Sequence, residues 1–242
     1  MKSVKVVGLL ASPRRYGSSF KGLMLALKAA ERFGAETEWY HLYQMDIKPC
    51  LGCVSEDIKA CKYPCIIKDD MKKIYDALVN SDGFIIATPV YWYSPSGVMK
   101  NVIDRLTALE NMIHIDGHSW LDGKVGGFIA TGNDSGAMFA IAQLMSIMNS
   151  MGVVIPPWSM AYTNELGDPL ENSAFVTDSL NVGRTVVMMI KAMRGEKVDR
   201  WYDPELYDWY EKELKEWLIN LVKEEEAKAE KPWKDPNWLN SK

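Results

Sequence analysis

Residues 4–19 read VKVVGLLASPRRYGSS. The first seven, Val4–Leu10, are apolar apart from Lys5 and Gly8, which reads as a strand buried on both faces, the kind found in parallel sheets. The strand breaks at once into Ser12, Pro13, Arg14, Arg15, Gly17, Ser18 and Ser19, and a helix follows. An ordinary strand-to-helix turn needs one turn residue and one cap. Here the turn gathers three hydroxyls, two guanidinium groups and a glycine, more polar equipment than turning requires.

Outward from this stretch the alternation repeats. A helix is expected over 18–33, with Phe20, Leu23, Met24, Leu27 and Ala30 at helical spacing and Gly34 as its stop. A second strand over 36–42 leads into a cysteine-bearing loop over 49–65 and a helix over 69–80. A third strand over 83–87, a helix over 98–109, a fourth strand Val125–Thr131, a helix over 135–151 and a short fifth strand over 153–155 complete the pattern. Five strands alternating with four helices imply an α/β fold: a doubly wound, five-stranded parallel sheet with helices on both faces. In such sheets ligands bind beyond the carboxyl ends of the strands, where the strand order reverses.

Composition limits the rest. The 242 residues carry a net charge of −4, and basic residues are interspersed with acids, so no electrostatic footprint for nucleic acid is present. No apolar run is long enough to span a membrane, and no secretory signal opens the chain, so a cytoplasmic, soluble protein with no membrane partner is expected. Tryptophan and charge density rise near residue 200, which sets the expected division: a domain over 1–199, with the cysteine loop 49–65 inserted after the second strand, and a C-terminal helical extension over 200–242. In the extension Leu206, Tyr210, Leu214, Trp217, Leu218 and Leu221 share one helical face, to be buried on its own domain or on another subunit. The final KPWKDPNWLNSK, residues 231–242, has no evident place.

Three loops carry candidate chemistry. Ser12, Ser18 and Ser19, with Arg14 or Arg15, suit a phosphate held at the N-terminus of the first helix. After the third strand, Pro89, Tyr91, Trp92, Tyr93 and Pro95 put aromatics on irregular backbone, which suits a flat π-system. Asp104 and Arg105 follow in the helix, available for pairing. TGNDSG, residues 131–136, opens the next helix with Asp134 or Ser135 as cap. His41 reads as strand surface. His114 and His118 read as a surface loop near the ligand edge, because Gly117 interrupts the helix that would align them on a metal.

LLASPRRYGSS (residues 9–19), IKDDM (67–71) and ATPVYWYSPSGVMKNVIDR (87–105) resemble the NAD(P)H-dependent FMN reductase and iron-sulfur flavoprotein family, whose fold is flavodoxin-like. The resemblance implies that Ser12, Arg14, Ser18 and Ser19 hold the FMN phosphate. Pro89, Val90, Tyr91, Trp92 and Ser94 would lie along the isoalloxazine ring, and Thr131, Gly132 and Asn133 would close its other side. It further implies NAD(P)H as co-substrate, a small-molecule or protein electron donor or acceptor as partner, and a homodimer or homotetramer.

All four cysteines, Cys50, Cys53, Cys61 and Cys65, fall in the spacing C-x2-C-x7-C-x3-C. Such clustering argues for metal or redox chemistry. A four-iron four-sulfur cluster, zinc, or paired disulfides would each use this set. The family's cluster-bearing members place the third cysteine after only two intervening residues, where this chain has Glu56. The expected function is that of an FMN-containing oxidoreductase, either a flavin- or quinone-type reductase or an electron-transfer iron-sulfur flavoprotein. The alternative is an FMN-dependent redox sensor signalling through its cysteines and C-terminal helix.

Overall fold

The computed structural model describes residues 3–235. Its first half runs β1 (Val4–Leu10), α1 (Ser18–Arg32), β2 (Ala35–His41), α2 (Met71–Asn80), β3 (Gly83–Tyr91), β4 (Ser94–Pro95), α3 (Gly97–Glu110) and α4 (Ile113–Asp116). There follow β5 (Val125–Thr131), α5 (Ala137–Ser150), β6 (Met160–Thr163), α6 (Ser173–Met193), α7 (Leu206–Trp209) and α8 (Lys215–Ala227). The strand order is β2-β1-β3-β5-β6, all parallel, with the two-residue β4 antiparallel on β3. Leaving out β4, this is the 2-1-3-4-5 order of flavodoxin-like sheets, which reverses direction between β1 and β3. β2 and β6 are the sheet's two edges.

Both faces are covered. On one, α1 and α6 pack over Val4, Val6, Ile85 and Ile129; on the other, α2, α3 and α5 cover Val7, Leu9, Phe84, Ile86 and Phe128. The two helices of the first face approach so closely that a Cβ on Gly183 would lie 1.8 Å from the Ala26 carbonyl oxygen, which is why a glycine stands in the middle of α6 despite its cost there. Leu206, Tyr210, Leu214 and Leu218 join the same core as α1 and α6. The C-terminal stripe is thus buried on the chain's own helices, each leucine contributing about 1.5–3 kcal/mol of transfer free energy. Between α7 and α8 the helix widens into a π turn, Tyr210–Leu214.

One strand lies elsewhere than expected. Residues 153–155 contribute only a bridge, Val125 to Val154, and the fifth parallel strand is Met160–Thr163. Pro156 and Pro157 interrupt the apolar run, and proline has no N–H for a ladder. Pairing resumes where the Phe128 N–H donates to the Ser159 carbonyl at 2.8 Å. Among the described residues no helix is long and apolar enough to cross a membrane.

Candidate functional site

At the carboxyl edge of the sheet the loops after β1, β3, β5 and β6 enclose a cavity of about 640 Å³, within the roughly 300–1,000 Å³ of small-molecule sites. Ser12, Pro13, Arg14, Gly17, Ser18 and Ser19 line it from the first loop. Pro89, Val90, Tyr91, Trp92 and Tyr93 line it from the second, Thr131, Gly132, Asn133, Asp134 and Ser135 from the third, and Leu166 from the fourth. Of the residues expected at a ligand, only Ser94 is not on this wall: its hydroxyl turns behind the hairpin and donates to Gln143 Oε1 at 3.3 Å.

The first loop presents an anion cradle. α1 begins at Gly17 in extended conformation, and no side chain caps it, so its first N–H groups and the positive end of its dipole are open toward the cavity. Among the described residues the Ser18 hydroxyl makes no hydrogen bond and Arg14 has no carboxylate partner. Arg15 turns away instead, toward Gln44 Oε1 and Glu225. The loop is braced from behind: the Arg14 N–H donates to Ser12 Oγ at 3.2 Å, and His41 Nε2 lies 2.7 Å from the Ser12 carbonyl oxygen. A carbonyl only accepts, so Nε2 carries the proton. His41, expected on the strand surface, is 9% exposed, because β2 ends beneath this loop.

The second loop is a two-residue hairpin between β3 and β4, with Trp92 at φ 51° and Tyr93 at φ 66°. Two successive positive φ angles define the mirror-image turn that suits the strand twist, normally built from Asn-Gly. Two bulky residues there store about 1–2 kcal/mol each, strain of the sort that gathers at functional sites. Trp92 is 94% exposed at the tip, while Tyr93 stacks edge-on with Phe139. The hairpin's far end is fastened to the first loop by the Ser96 hydroxyl, which donates to the Ala11 carbonyl at 2.7 Å.

The third loop closes the cavity. The Ser19 and Thr131 hydroxyls meet at 2.7 Å, and the Gly132 N–H donates to the Thr163 carbonyl at 2.8 Å. Neither Asp134 nor Ser135 caps α5. The Ala137 N–H donates to Asn164 Oδ1 at 3.1 Å from the loop after β6, and Gly136 at φ 89° leads into the helix. Pro13, Gly17, Tyr93, Asp134, Ser135 and Leu166 join the wall beyond the set expected at the ligand. The first five stand in the loops the sequence singles out; Leu166 carries no local signal.

The cysteine loop lies along another path. Ile47 and Lys48 present their carbonyls to Asn101 Nδ2 and Arg105, and further on Ile58 and Cys61 present theirs to Asn111 Nδ2. The loop therefore descends α3 from its first turns to its end, and the buried Cys61 sits at the far end of this 14-residue helix, about 20 Å from its start. Arg105 does not pair with neighbouring Asp104, which binds Lys100; its guanidinium forks onto Asp69 at 2.7 and 3.2 Å, both side chains wholly buried. Burial opposes the Asp69 charge, but Arg105 and the N–H groups of Lys48 and Met71 hold its carboxyl below the usual range. His114 and His118 belong to the connection from α3 into β5, at the sheet's opposite edge, and so lie away from the cavity.

All four cysteines are free thiols. Burial first, then Cys53, with Cys50 and Cys65 adding, pushes the Cys61 thiol up to about 12. In number and softness the donors suit an iron-sulfur cluster. As placed, though, no three His, Cys, Asp or Glu side chains among the described residues are grouped to hold a single metal ion.

Residues 4–165 match the family model of NADPH-dependent FMN reductase. An iron-sulfur flavoprotein of Archaeoglobus fulgidus is 32% identical over 169 residues, covering 68% of this chain and 73% of that protein. An iron-sulfur flavoprotein of Methanocaldococcus jannaschii is 38% identical over 131 residues, 54% of this chain and 63% of that one. Among solved structures, RosB with a bound 8-demethyl-8-formylriboflavin-5'-phosphate superposes with a TM-score of 0.67 at 17% identity, over 87% of each chain. The NAD(P)H:quinone oxidoreductase of Methanothermobacter marburgensis superposes with 0.57 at 14% identity, over 76% of this chain and all of that one. At these identities the superpositions speak for the fold.

Proposed function

The chain belongs to the NADPH-dependent FMN reductase family and is an FMN-containing, NAD(P)H-dependent oxidoreductase or iron-sulfur flavoprotein; we propose that the cavity between the β1, β3 and β5 loops is where it holds FMN. The observation that carries this is an uncapped helix N-terminus beside Arg14, which has no carboxylate partner among the described residues, opening into one cavity with Pro89, Val90, Tyr91 and Trp92. Ser12, Arg14, Ser18 and Ser19 take the phosphate: the arginine supplies a charged fork, the serines hydroxyl donors, and α1 its free N–H groups. The hairpin backbone and aromatics at 89–93 bound the ring on one side, and Thr131, Gly132 and Asn133 bound it on the other. Ser94 is outside this set.

FMN, when bound, accepts a hydride and hands electrons to an acceptor. The chain's own residues bind and orient, and no side chain is assigned a proton-transfer role. The four cysteines are proposed as ligands of a four-iron four-sulfur cluster, supported by four soft donors gathered in one loop and by the relatives' name. Exposed apolar side chains about the mouth, Trp92, Phe139 and Leu166, favour a homodimer or homotetramer, to be checked by light scattering.

An absorption spectrum of protein purified without oxygen tests both cofactors at once. Flavin bands with one FMN per chain support the cavity assignment; a broad visible shoulder with matching iron and acid-labile sulfide supports the cluster. Steady NAD(P)H oxidation with a quinone or free flavin supports turnover. A preparation that binds neither FMN nor riboflavin overturns the cavity reading.

A further inference from the structure

The segment after residue 199 lies outside the stretch that matches the family, yet it reaches back to the first loop of the sheet. Three consecutive residues there, Arg14, Arg15 and Tyr16, each meet a partner from the C-terminal arm. Arg15 Nε lies 2.6 Å from Glu225, which is 7% exposed, and its guanidinium stacks on Trp39 at 5.0 Å. Lys231 stands over the Tyr16 ring at 4.8 Å and pairs with Glu226. The Arg14 guanidinium rests against Trp233 at 5.8 Å while the residue lines the cavity.

A loop rich in serine and glycine, left alone, would lose conformational freedom each time it closed on an anion; holding it in the closed form beforehand removes that loss. α1 fixes the loop's far end, and the Ser12 contacts with His41 and Arg14 N–H fix its start. The arm fixes the middle, and does so through the charged residues next to and within the proposed phosphate site. We propose that Glu225 and Trp233 are positioning residues for FMN: they hold the 14–16 segment in its phosphate-gripping form and thereby set how slowly FMN leaves. The inference rests on the phosphate reading above. It makes the flavin a retained group in this chain rather than a freely exchanging substrate.

The test uses the full chain stripped of flavin and reloaded. Glu225→Gln is isosteric, and Trp233→Ala removes a side chain 43% exposed, so both should fold; a thermal melt checks this. FMN release is followed by the recovery of flavin fluorescence on dilution, and affinity is measured for FMN and for riboflavin, which lacks the phosphate. We expect FMN release to accelerate about tenfold in the double variant, one lost cation-π contact and one lost partly buried ion pair, with riboflavin affinity unchanged and Trp233→Phe restoring slow release. A purely structural arm would weaken both ligands equally or neither, and either result overturns the proposal. Arg14→Ala separates the two levels. If it erases the preference for FMN over riboflavin while the arm variants do not, the arm inference alone fails; if it leaves the preference intact, the phosphate site is elsewhere and the arm inference falls with it.

Discussion

The Ser19 and Thr131 hydroxyls meet at 2.7 Å, both buried, although 112 residues separate them in the chain. This contact ties the first turn of α1 to the carboxyl end of β5, so the two loops that bound the cavity cannot drift apart independently. Thr131→Val keeps the shape of the side chain and leaves the Ser19 hydroxyl without its partner, an expected loss of about 1–3 kcal/mol. Urea denaturation should show it, and FMN titration should show weaker binding in the same variant.

Arg14→Ala combined with Ser18→Ala removes a charged and a hydroxyl donor at once. Hydrogen bonds to charged groups contribute about 1.5–3 kcal/mol each, so FMN affinity should fall by at least about tenfold. The variant should purify largely free of flavin. Full occupancy in the purified double variant would move the phosphate elsewhere.

Asp69→Asn breaks an ion pair in which both side chains are buried, and removing one partner of such a pair costs about 3–5 kcal/mol. The Asp69 carboxyl is held below its ordinary value, so its share of stability is present above the unfolded-state pKa of about 3.9. That share is lost as pH falls through the lower folded value. Melting temperatures measured from pH 7 down to pH 2 should show wild type and variant converging in acid.

Cys61→Ser should abolish iron binding while FMN is retained, since the loop runs down α3 away from the cavity. In metal-free protein, Cys61 should be the slowest of the four thiols to alkylate near neutral pH, because burial and the adjoining thiols push it up to about 12 and only the thiolate reacts. Mass spectrometry of partly alkylated protein gives the order. Fast labelling of Cys61 would contradict its burial.

Trp92→Asn places a residue that tolerates positive φ at the tip of the hairpin, where the native side chain is almost wholly exposed and has little packing to lose. Stability should rise by about 1 kcal/mol, and turnover with an aromatic acceptor should fall. A variant that is both more stable and fully active would show that the strained turn serves no purpose at the site.

Where periodicity and turn chemistry act locally, the sequence was legible. β1, α1 and β5 stand within a residue of expectation, and all the expected cavity residues but Ser94 share one wall. The departures are tertiary. The fifth strand follows a Pro-Pro break that a three-residue apolar run disguises. His41 is buried because a loop from 29 residues earlier folds over it. Arg105 finds Asp69, 36 residues upstream, and α5 takes its cap from Asn164. Nothing in the spacing of the cysteines says that their loop descends α3, since that path is set by Asn101, Arg105 and Asn111 on another element.

The sheet ends in β2 and β6, and an unpaired strand edge is a ready template for a second chain to extend. On β2 the exposed Glu36 and Glu38 alternate along the rim, placing like charges where an incoming copy would have to register. β6 is only four residues long, too short to nucleate a stable ladder. Edge-to-edge fibrillation is thereby disfavoured at both borders, which leaves this chain free to expose large aromatics beside its cavity without turning its sheet into a polymerisation seed.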